Sequence, residues 1–98
     1  MGIDVLRTNN VFARYHEGDH ISVEELASKF LQTKCRIGYE VSSAGDDFIV
    51  YNLYAQLDAK RSGFMKLILN KKKNDTKIVS KGLVTWAVNW SKLIKPRR

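Results

Sequence analysis

His16-Glu17-Gly18-Asp19-His20 has the H-E-x-x-H spacing that, on a helix, sets two imidazoles on one face to bind zinc and leaves the glutamate as general base. Three features argue against that chemistry. Gly18 weakens a helix, Asp19 puts a charge where such a site is apolar, and no third ligand follows at a useful spacing. The five residues read instead as a polar turn, and no metal is expected. Cys35 falls on the apolar side of an alternating segment, the place of a small buried hydrophobe rather than of a nucleophile. The remaining Ser, Asp and His residues show no triad spacing, and there is no glycine-rich loop to cradle phosphates. The chain is therefore expected to be no enzyme, with no catalytic residue and no cofactor.

Charge carries the stronger signal. The net charge of +7 is split unevenly along the chain. Residues 1–59 hold five basic side chains (Arg7, Arg14, Lys29, Lys34, Arg36) against nine acidic ones, net −4, whereas residues 60–98 hold twelve against Asp75 alone, net +11. Such asymmetry points to an anionic partner for the second part, nucleic acid first of all. A surface made basic only for solubility would mix both signs.

The basic residues assigned to that partner fall in three groups: Lys60, Arg61 and Lys66; Lys71, Lys72, Lys73 and Lys77; and Lys92, Lys95, Arg97 and Arg98. Among them stand Phe48, Tyr54 and Phe64, rings that could stack on bases while the cations neutralise phosphates. If about five phosphates are neutralised, log affinity should fall with log salt at a slope of about −3.5 to −4.5. Composition does not distinguish DNA from RNA. A partner of another class is an acidic protein surface, with the chain acting as a small inhibitor or adaptor that steers with the same lysines and anchors through Tyr54 or Phe64.

These residues need a scaffold, and the segment from Asp47 to Leu57 supplies its centre. Ile49, Tyr51, Leu53, Ala55 and Leu57 fall on one side of an extended chain and Phe48, Val50, Asn52, Tyr54 and Gln56 on the other. One side is apolar and the other carries two aromatics and a valine, which predicts a central strand covered in part on both faces. If a helix covers Phe48 and Tyr54 they are core residues, and only the lysine loops bind; if not, the strand is the floor of the site. Before it, Cys35, Ile37, Tyr39 and Val41 alternate with Arg36, Gly38, Glu40 and Ser42 as a second strand, joined by a turn at residues 43–46. After it come a basic loop over residues 57–63, a strand over 64–70, a charged turn over 71–75 and a short strand over 76–80.

Ser22 followed three residues later by Glu25 makes a capping box, and Val23, Leu26, Ala27 and Phe30 an apolar stripe, so residues 21–31 are expected to be helical. Val11, Phe12 and Tyr15 permit a short helix stopped near Gly18, and Ile3, Val5 and Leu6 an edge strand before a break at Asn9-Asn10. At the other end Leu83, Trp86, Ala87, Trp90, Leu93 and Ile94 make a helical stripe that Pro96 stops, burying both tryptophans against the sheet. The expected fold is α+β, a four-stranded antiparallel meander sheet preceded by one capped helix and followed by a C-terminal helix.

Residues 22–44 also resemble a helix-turn-helix, with the later hairpin as the wing of a winged-helix DNA-binding regulator. That alternative puts Gly38 inside the recognition helix, leaves it only Lys34 and Arg36 as basic residues, and lacks a turn glycine near Leu31. At 98 residues a single domain over 1–98 is expected, with no apolar run of membrane-spanning length. The N-terminal residues lack the pattern of a secretion signal or an acyl-chain motif, and a single cysteine cannot form an internal disulfide, so the expected setting is the reducing cytoplasm.

Overall fold

The computed structural model describes residues 11–96. The edge strand expected at Ile3, Val5 and Leu6, the break at Asn9-Asn10, and Arg97 and Arg98 lie outside the described residues. Residues 11–14 are helical. Helix α1 (Val23–Gln32) follows, then strands β1 (Ile37–Ala44), β2 (Phe48–Gln56), β3 (Ser62–Asn70) and β4 (Asp75–Leu83), and a single 3₁₀ turn at Trp90–Lys92. The four strands form one antiparallel sheet in the order β1-β2-β3-β4.

α1 begins where the capping residues place it. Ser22 Oγ accepts from the Glu25 amide at 3.1 Å, Glu24 and Glu25 occupy the first turn, and Lys29 lies in the last. It ends in a C-terminal hook. The Thr33 hydroxyl donates to Phe30 O at 2.7 Å, the Cys35 amide reaches the same carbonyl at 3.4 Å, and Lys34 takes the left-handed conformation between them.

The apolar stripe of α1 lies on the first face of the sheet. Leu26, Phe30, Leu53, Met65, Leu67 and Ile78 are wholly buried there, with Val23, Ala27, Ile37 and Ala55 around them. Ten helical residues rise about 15 Å, whereas nine strand residues run about 30 Å, so α1 backs only part of that face. Val41, at 48% exposure, stands beyond it.

Both sheet edges are trimmed by irregular chain. On the β4 side the Gly18 amide donates to Ile78 O, the Ile78 amide to Asp19 O and the Ile21 amide to Thr76 O, so residues 18–21 run along the strand. Phe12 packs where only a glycine fits, since a Cβ on Gly63 would stand 2.6 Å from its ring. Lys81 Nζ donates to Phe12 O and Tyr15 O at 2.8 Å each, satisfying carbonyls at the end of the first helical turn. On the β1 side Tyr39 and Ile94 exchange backbone hydrogen bonds of 3.0 and 2.8 Å.

The C-terminal helix expected over residues 83–95 is not present; apart from the 3₁₀ turn at Trp90–Lys92, this segment is an extended strap across the second face. It leaves β4 with the Val84 amide on Ser62 O, passes Trp86 over Tyr54 and Phe64, sets Leu93 on Gly38 and ends on the edge of β1. The reason is geometric. From β4 to a position outside β1 is about 19 Å, and ten helical rises would give only about 15 Å with no backbone groups left for Tyr39. Local preference agrees, since Val84, Thr85 and Val88 are β-branched and Asn89 and Ser91 favour turns.

Trp86, expected to be buried, is 53% exposed, and Trp90 is half-buried with the Arg36 guanidinium 4.9 Å from its ring centroid. The winged-helix alternative also falls, because its recognition helix is strand β1. Cys35 sits just before that strand rather than within it, half-buried, with Sγ 3.5 Å from Arg36 O. Among the described residues no helix is long and apolar enough to cross a membrane.

Candidate nucleic-acid interface

Strand register sorts the second face into rows. At the strap end Gly38, Tyr54, Phe64 and Gly82 lie side by side across the four strands, and next to them Glu40, Asn52, Lys66 and Ser80 form a polar row. Beyond it stand Ser43, Val50, Ile68 and Lys77, and finally Phe48, Asn70 and Asp75 at the far end. Asn52 Oδ1 is buried in the polar row without a hydrogen-bond partner.

The strap makes the first row into core. Tyr54 is 7% exposed and its hydroxyl donates to Glu40 Oε2 at 3.1 Å; burial, reinforced by that carboxylate, pushes the phenol above its ordinary range. Phe64 forms a triangle of rings with Tyr54 and Trp86, its centroid 6.5 and 6.2 Å from theirs and theirs 6.3 Å apart. Gly82 lies beneath it, where a Cβ would come within 3.2 Å of the ring.

The far rows have no such cover. Phe48 is 49% exposed and shares with Ile68, Val79, Asn70, Lys73, Asp75, Lys77 and His20 an open groove of about 390 Å³. Lys77 and Lys73 are exposed and Lys66 is half-buried in the adjoining row. His20 Nδ1 lies 2.9 Å from Asp75 Oδ1 at the β4 rim.

The basic residues singled out in the sequence do not converge on one place. Lys60 and Arg61 are exposed in the β2–β3 loop, a strand's length of about 30 Å from the β3–β4 turn. That loop is folded around Asp58, whose carboxylate accepts from Arg61 Nε at 2.6 Å and from the Lys60 and Arg61 amides at 2.8 Å each. The Arg61 side chain, then the Lys60 amide, hold the Asp58 carboxyl below its usual value. In the β3–β4 turn, Lys71 Nζ donates to Gly45 O at 2.8 Å and Lys72 Nζ lies 3.5 Å from Asp47 Oδ1, tying this turn to the β1–β2 turn beside it. Lys92 and Lys95 are exposed on the strap. Among the described residues, Lys73 and Lys77 line the open groove and Lys66 stands in the row next to it.

Of the three rings expected to stack, then, Phe48 alone faces solvent from an uncovered part of the sheet. Sequence reasoning passed over His20 as a rim residue, because its local spacing suggested a metal motif. The segment is a turn rather than the helix that motif needs: Gly18 stands at φ +95°, and the His16 amide donates to Asp19 Oδ2 at 2.9 Å. No protein-family model, curated protein or solved structure matches the chain.

Proposed function

We propose that the protein binds nucleic acid without catalysis, through the open half of the second face, on a meander sheet backed by the capped helix. The observation that carries this reading is Phe48, half-exposed in one groove with Ile68, Val79, Lys73 and Lys77, with Lys66 in the adjoining row. An aromatic ring on a strand offers a π-face to any base, and lysines around it supply sequence-independent attraction for phosphate. Lys71, Lys72 and Arg61 are engaged within the molecule and contribute to the field more than to contacts.

With three phosphate contacts the dependence of log affinity on log salt has a slope of about −2 for a single strand and about −2.7 for a duplex, shallower than the value expected from five. Equilibrium binding of labelled DNA and RNA oligonucleotides across roughly 50 to 200 mM salt tests this directly. Retention that weakens with salt at such a slope supports the proposal. Failure to retain either nucleic acid removes it, and a protein that co-purifies after nuclease treatment would put the acidic-partner reading in its place.

A further inference from the structure

We infer that the groove takes a single nucleic-acid strand and rejects a duplex, with the backbone along β3, β4 and their connecting turn and the bases turned inward over Phe48. This rests on the nucleic-acid reading above. Its basis is the charge on the two sides of the second face. From Ile37 to Asp47, which covers β1 and the turn after it, the chain holds Glu40, Asp46 and Asp47 and no lysine or arginine. From Ser62 to Leu83 it holds six lysines against Asp75. Lys81 is spent on the carbonyls of Phe12 and Tyr15, and Lys71 and Lys72 on the neighbouring turn, which leaves Lys66, Lys73 and Lys77 beside the groove. Asp75 Oδ1, the one carboxylate on that side, lies 2.9 Å from His20 Nδ1 at the rim.

Three strand spacings separate β1 from β4, a width of about 14 Å, close to the roughly 12 Å across the major groove of B-DNA. A duplex with one backbone on Lys66, Lys73 and Lys77 would therefore bring its second backbone over Glu40 and Asp46, the carboxylates left on that side once Lys72 stands 3.5 Å from Asp47. Repulsion there opposes what the lysines gain. A single strand has no second backbone. Its bases are also free to turn onto Phe48 and the apolar surface of Ile68 and Val79, which the stacked bases of a duplex cannot do. The groove of about 390 Å³ is open enough to admit a planar base from the side.

The experiment measures fluorescence anisotropy of one labelled oligonucleotide, as single-stranded DNA, as the RNA of the same sequence and as the DNA duplex, at one salt concentration. Tighter binding of at least one single strand, by about tenfold or more, is expected. Phe48→Ala should weaken single-strand binding by about 5- to 150-fold and leave the duplex unchanged. The pair Asp46→Lys and Asp47→Lys, exposed turn positions, should raise duplex affinity more than single-strand affinity. A duplex that binds as tightly as the single strands, or a Phe48→Ala variant that weakens both alike, overturns this inference while the nucleic-acid reading stands. Binding of none of the three overturns both.

Discussion

Tyr54 and Phe48 stand six residues apart on the same face of β2, one 7% exposed and the other 49%. Their strand, their face and their aromatic character are shared, and what separates them is the strap of residues 84–94. At the Tyr54 end the strap turns an aromatic row into a second small core, closed by Leu93 on Gly38 and Trp86 on Phe64. At the Phe48 end the same row spacing is left open between lysines. A strand's alternation thus fixes which residues share a face, whereas the use of that face depends on chain that arrives later and crosses it.

The contrast can be broken at the covered end first. Tyr54→Ala removes a buried ring and should cost about 3 to 5 kcal/mol in urea unfolding. A loss under about 1 kcal/mol would mean that the strap does not make a core there. Gly38→Ala sets a Cβ at 2.7 Å from Leu93 Cβ, and relieving that clash should cost about 1 to 3 kcal/mol or lift the strap. Tryptophan emission shifted to the red would report the lifting, and unchanged stability with unchanged emission would contradict the close approach.

Tyr54→Phe keeps the ring and removes the hydrogen bond to Glu40, a loss of about 1 kcal/mol near neutral pH. Its pH dependence has a definite sign. The phenol is raised by burial and then by Glu40, so its contribution is complete below the ordinary phenol value of 10.0 and is lost as pH climbs through the higher folded value. Tyr51, raised by burial and then by Glu24, contributes in the same direction, so the variant should flatten only part of the alkaline loss of stability. An alkaline unfolding profile identical to that of the unmodified chain would contradict this. The smallest effect belongs to the open end: Phe48→Ala should change stability by less than about 0.5 kcal/mol, and a larger loss would show the ring to be packed rather than offered.

Much of the scaffold was legible because its signals are local. Ser22 and Glu25 marked the start of α1 within a residue or two, and alternation placed Ile49, Leu53 and Ala55 opposite Phe48, Val50 and Tyr54. β4 is longer than the expected 76–80, because Val79 is an extra residue opposite Lys66 and Leu67 and shifts the phase on which period two depends. The strap was misread for a related reason. Its tryptophans and leucines satisfy a helical stripe as well as an extended one, and only the distance across the sheet decides between them.

Lys81 shows what no local pattern could reveal. Its partners are carbonyls 66 and 69 residues away, so in the sequence it is one more cation in a basic half. The same is true of the site. Eleven basic residues were indistinguishable by type, and tertiary placement leaves Lys73 and Lys77 lining the groove with Phe48 and Lys66 in the row next to it, while Arg61, Lys71 and Lys72 serve the turns that hold the sheet's ends.

The central claim is that position in the open groove, rather than overall charge, governs binding. Lys73→Glu with Lys77→Glu, and Lys92→Glu with Lys95→Glu, alter exposed residues and change net charge equally. Single-strand affinity of the two double variants, measured side by side at low salt, is the most direct test. The groove pair should lose more than about tenfold and the strap pair less than about threefold. Equal losses, or a greater loss in the strap pair, would contradict the account.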